Sequence, residues 1–167
     1  MQRRTLLITL GIVILGIGWY LFRPELLFVN KSVNEEFPGR ASAQNVSPAT
    51  TPLVLSQGRF HGVAHEGSGV ATLYQFPDGK RVLRFTDFAT SNGPDLFVYL
   101  VAADDARDNA TVERAGFISL GTLKGNVGEQ NYNLPPDLDL TKYRSVSIWC
   151  RRFGVNFATA PIAPQHN

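Results

Sequence analysis

Seventeen consecutive residues near the start of the chain, Leu6 to Phe22, carry no charge and are apolar apart from Thr9 and three glycines. Arg3 and Arg4 precede the run, and Arg23 and Pro24 close it. As a helix it would rise about 25 Å, which predicts a short transmembrane anchor. Trp19 and Tyr20 fall where an interfacial aromatic belt would lie. The bulky residues that end the run argue against a cleaved signal peptide. The expectation is therefore a single-pass membrane protein, with a cytoplasmic N-terminus and a domain in the periplasm or outside the cell.

Beyond the anchor and its juxtamembrane segment (residues 1–29), residues 30–54 read as a linker. Its stretch PGRASAQNVSPATTP has no hydrophobic periodicity and is rich in Ser, Thr, Ala and Pro, the composition of a flexible tether. A domain is expected over residues 55–163, with a short tail at 164–167. There the pattern changes to period two. In GVATLYQF, Val70, Thr72, Tyr74 and Phe76 alternate with Ala71, Leu73 and Gln75, as in a half-buried strand. Pro77-Asp78-Gly79 is a turn signal and RVLRF follows, which predicts a hairpin. LFVYLVA (96–102) is apolar on both faces and reads as a covered, central strand. FISLG and QNYNL are further short strands. DDARDNATVERAG (104–116) has no apolar stripe and reads as an exposed loop with at most one helical turn. The fold class predicted is all-β, an antiparallel sandwich behind one N-terminal helix and a linker.

Composition narrows the function. Hydrophobic residues are 44% and charged residues 18% of the 167, an ordinary globular balance. Net charge is +2, and past the linker acidic and basic residues are equal in number, so no basic face points to nucleic acid. With one cysteine the chain has no internal disulfide and no Cys-rich metal or cluster site. Sequence signatures of hydrolases, zinc proteases, P-loops and dinucleotide folds are absent, so no catalytic residue and no cofactor is assigned.

The lone cysteine sits in SVSIWCRRFGVNF (145–157). Val146, Ile148 and Cys150 share one strand face; Phe153, Val155 and Phe157 share a face of opposite parity. That switch predicts a β-bulge or a tight bend around Arg151-Arg152. Cys150, between Trp149 and the two arginines, is the candidate redox or metal-binding thiol, because neighbouring cations favour thiolate. It also reads as a small buried hydrophobe. In SNGPDLF (91–97), Asn92 belongs to a turn and Asp95 abuts the covered strand, so its carboxylate either pins the loop or lines a ligand or metal pocket. His65, in the Gly-rich FHGVAHEGSG, either caps a loop or supplies a nitrogen beside Cys150.

These stretches resemble the DM-thirteen domain, an extracytoplasmic β-module found alone, on membrane anchors or beside DOMON domains in Skeletor-like proteins. The resemblance runs from about Ser56 to Ile162 and rests on GRFHGVAHEGSGVATLYQF, VLRFTDFATSNGPDLFVYL, LGTLKGNVGEQNYNLP and SVSIWCRRFGVNFATA. It implies a β-sandwich and a redox or electron-transfer role centred on Cys150, with His65, Asn92 and Asp95 at other motif positions. Two functions follow as expectations. One is a redox module working with a redox partner protein. The other is a non-catalytic binding or accessory module, for a protein or glycan partner or a membrane complex, in which Cys150 is structural.

Overall fold

A computed structural model describes residues 2–22, 29–38 and 51–164. Helix α1 spans Gln2–Phe22. The strands are β1 (Ser32–Asn34), β2 (Leu53–Arg59), β3 (His61–Gly62), β4 (Gly67–Gln75), β5 (Arg81–Thr90), β6 (Leu96–Val101), β7 (Phe117–Thr122), β8 (Val127–Asn133), β9 (Ser145–Cys150), β10 (Val155–Pro161) and β11 (Ala163–Pro164). A second helix, α2, covers Asn109–Ala115.

The strands form two sheets, in the orders β1-β8-β5-β4-β2-β11 and β3-β10-β9-β6-β7. All pairings are antiparallel except that of β1 with β8. The predicted hairpin is β4–β5, closed where Phe76 N donates to Lys80 O at 2.8 Å. Between the sheets lies one apolar core, including Leu73, Leu83, Phe85, Phe88, Val98, Leu100, Val146 and Ile148. This bears out the all-β sandwich expected from the alternation.

LFVYLVA behaves as its two apolar faces require. Leu96, Val98 and Leu100 enter the core between the sheets. Tyr99 and Val101 enter a smaller cluster on the outer face, with Ala106, Val112 and Trp149. The cover there is α2, seven residues long, where the sequence pattern suggests an exposed loop with one helical turn. Its N-cap is Asp108, whose carboxylate accepts from Thr111 N at 2.6 Å. It buries only Val112, too little for an apolar stripe to show.

The membrane expectation is corrected. Among the described residues no helix is long and apolar enough to cross a membrane. The uncharged run of α1 counts 17 residues, the short end of what a span requires. Leu6, Leu7, Leu10 and Leu15 are exposed. A single-pass topology is therefore not carried forward.

Of the segment read as linker, residues 30–38 lie against the first sheet as β1 and its flanks, and residues 39–50 lie outside the described residues. The tail residues 165–167 and the juxtamembrane Leu26, Leu27 and Phe28 also lie outside them.

Candidate functional site

The parity switch in SVSIWCRRFGVNF is a hairpin. β9 ends at Cys150, residues 151–154 turn, and β10 returns with Val155 opposite Cys150. Of the two forms predicted, the tight bend is the one at Arg151-Arg152. A bulge exists as well, farther on: the β9–β10 register shifts between Asn156 and Ala158, so Phe157 is the extra residue. Its carbonyl accepts from Val63 N at 3.0 Å and His65 N at 3.1 Å, while Asn156 O accepts from Ala64 N at 3.1 Å. The bulge thus holds the loop that carries His65.

Cys150 is completely buried, in the core between the sheets with Leu96, Phe157 and Ile148. It pairs with Leu96 on β6 and Val155 on β10. Alternation along β9 sends its neighbour Trp149 to the opposite face, into the outer cluster. Arg151 follows Trp149 outward. Its guanidinium lies 4.2 Å from the Phe97 ring centroid, and its Nε is 4.0 Å from Asp95 Oδ2. The arginine expected to favour thiolate is thus on the face opposite the sulfur, engaged by a ring and a carboxylate. Arg152 is exposed in the turn.

The other predicted residues gather at the same end of the sandwich. Asp95 O accepts from Arg151 N at 3.0 Å, which ties the SNGPD loop to the hairpin turn. Its half-buried carboxylate faces Arg151. Asn92 Oδ1 accepts from Gly93 N at 3.2 Å, and its amide donates to the Val29 carbonyl. A Cβ on Gly93 would stand 3.0 Å from Phe157 Cζ and 2.9 Å from Leu96 Cδ2, so the loop rests directly on the side chains around Cys150. The His65 ring stacks on Phe157 with centroids 3.8 Å apart. His65 therefore reaches the thiol's neighbourhood through the Phe157 ring. An open groove of about 920 Å³ lies beside it, between residues 62–68 and Ala89–Ser91. Among the described residues no group of three or more His, Cys, Asp or Glu side chains is placed to hold a metal ion.

Two features of the outer face escape the sequence pattern. Ser147 and Asn156 are completely buried; Ser147 Oγ donates to Asn156 Oδ1 at 2.8 Å, and Asn156 Nδ2 donates to Ala106 O at 2.6 Å. This pair pins the loop before α2. Beside it runs an aromatic stack. The Trp149 and Tyr99 rings are 6.3 Å apart at 24°, and Tyr99 and Phe117 are 4.1 Å apart at 6°. Trp149 and Tyr99 are buried, whereas Phe117 is 44% exposed and gives the stack a surface end. Burial holds the Tyr99 phenol above its ordinary pKa, and the Asp95 charge adds to this against the opposing Arg151 charge.

The fold and this end of it define a small two-sheet β domain with a sealed thiol and an aromatic outer face. The family model described as Electron transfer DM13 matches residues 59–162, and the chain belongs to that family. No curated protein and no solved structure matches it.

Proposed function

We propose that the domain passes single electrons between redox partners through the Trp149–Tyr99 pair, which the exposed Phe117 ring joins to the surface, while Cys150 stays reduced in the core. The observation that carries this reading is the complete burial of Cys150 beside a stack that reaches the surface. Sulfenic acid or mixed-disulfide formation needs a peroxide or a disulfide sulfur to touch Sγ. An electron crosses packed side chains without such contact. In this reading the redox role expected of Cys150 moves to its neighbour Trp149, and no metal-ligating role is assigned to either.

In the proposed step the Trp149 indole gives one electron to a strong one-electron oxidant on a partner protein, leaving a radical cation. Tyr99 returns an electron to the indole and gives its phenolic proton to water. A reduced donor then restores the tyrosyl radical with one electron, and water returns the proton. Tyr99 is a phenol at neutral pH, and an oxidised phenol is a strong acid, so its proton leaves with its electron.

Photo-oxidation by a ruthenium polypyridyl complex, in a Trp19→Phe background that leaves Trp149 as the only indole, tests the relay. Transient absorption is expected to show an indole radical that decays as a tyrosyl radical grows. Tyr99→Phe should lengthen the indole radical's lifetime at least about tenfold. An indole decay unchanged by Tyr99→Phe contradicts the relay. It would favour the second reading, a non-catalytic binding module with a structural cysteine, for which the open groove beside His65 is the supporting observation.

A further inference from the structure

Residues 29–38 precede the family match, yet the domain is shaped around them. β1 runs parallel to β8 with Ser32, Val33 and Asn34 opposite Val127, Gly128 and Glu129. Glu35 N donates to Glu129 O at 3.0 Å. A Cβ on Gly125 or Gly128 would collide with the carbonyl oxygens of Lys31 and Val33, and Gly128 has φ +102°. Only glycines admit the segment at this edge.

Side chains of the domain complete the fit. Asn126, 3% exposed, accepts from Lys31 N at 2.7 Å and donates to Asn30 Oδ1 at 2.8 Å. Lys124 Nζ donates to both carboxylate oxygens of Glu35 at 2.7 and 2.9 Å, and Asn131 N donates to Glu35 Oε2 at 2.7 Å. Asn131 Nδ2 donates to Glu36 O at 2.9 Å, and Arg84 Nη1 to Glu35 O at 3.1 Å. The Phe37 ring packs edge-on against Tyr74 with centroids 5.0 Å apart. At the other end, the Asn92 amide holds the Val29 carbonyl, which joins the segment to the SNGPD loop.

We infer that the β8 edge is a strand-receiving site for a short extended acidic segment, that residues 29–38 fill it in cis, and that filling it steadies the Asn92–Asp95 loop. A β-edge site of this kind takes its affinity from main-chain bonds and its selectivity from side-chain pockets. Here the pockets are the Lys124–Asn131 pair for a carboxylate and the Tyr74–Phe76 surface for an aromatic ring.

The test uses the full chain and a fluorescent peptide of residues 29–38. A Glu35→Ala/Phe37→Ala chain, weakened only in its own strap, should bind the peptide saturably, and at least about tenfold more tightly than the wild-type chain does. Adding Lys124→Ala should weaken that binding about tenfold or more. Peptide binding should slow amide exchange in residues 92–96 as well as in β8. Equal binding by wild type and variant, or no binding by a variant whose β4–β5 amides remain protected, overturns the inference. If the variant does not fold, amide exchange on the wild-type chain decides: protection of Glu35 N–H supports the strap, and its exchange at the rate of an unstructured chain overturns it.

Discussion

Trp149 and Cys150 are adjacent in β9 yet face opposite sides of the sheet, the thiol into the sealed core and the indole into the stack that ends at Phe117. One peptide bond separates a group that no reagent touches from a group connected to the surface. This division of a single strand lets the two residues have different roles.

Replacing Cys150 tests the inner half. Cys150→Ser places a hydroxyl in an apolar core with Leu96, Phe157 and Ile148 around it. An unpartnered buried hydroxyl costs about 1–3 kcal/mol, so denaturant unfolding should show a loss of that order. Photo-oxidation of Trp149 in the same variant should be unchanged while the protein is folded.

Acidity should release the strap. Burial raises the Glu35 pKa, but hydrogen bonds from Lys124 and Asn131 and the Lys124 charge outweigh it, so the carboxyl titrates below its ordinary value of 4.5. A group whose folded pKa is depressed stabilises fully above its unfolded pKa and loses that contribution as pH falls through the folded value. The strap should therefore be docked at neutral pH, loosening below about pH 4.5. Glu35→Gln should flatten this dependence. Amide exchange at Glu35 and Asn131, corrected for the intrinsic pH effect, measures it; protection that stays constant from pH 6 to pH 3 contradicts the assignment to Glu35.

Much of the sandwich is legible in the sequence because its signals are local. The β4–β5 hairpin follows from alternation around Pro77-Asp78-Gly79, and the two-faced burial of β6 follows from LFVYLVA having no polar face. The bend after Cys150 is visible as a parity switch. The bulge at Phe157 is not, because Ala158 and Ala160 lie on the inner face without a bulky apolar signature. The strap is invisible for another reason. NKSVNEE is polar apart from Val33 and owes its place to backbone bonds and to Lys124, Asn126 and Asn131, about ninety residues away in sequence. The aromatic stack needs the β6–β7 and β6–β9 registers, which no single segment encodes. The expectation of an anchor comes from one apolar run, and the finding that no described helix is long and apolar enough to cross a membrane corrects it.

The most direct measurement is the alkylation rate of Cys150 by a small maleimide, compared with the rate and free energy of global unfolding. A thiol sealed in the core reacts only when the sandwich opens, so the labelling free energy should equal that of global unfolding and fall in step with it as denaturant is added. Labelling of the native domain at a rate near that of a free thiol, with no dependence on denaturant, would contradict the sealed core and return the redox chemistry to the cysteine itself.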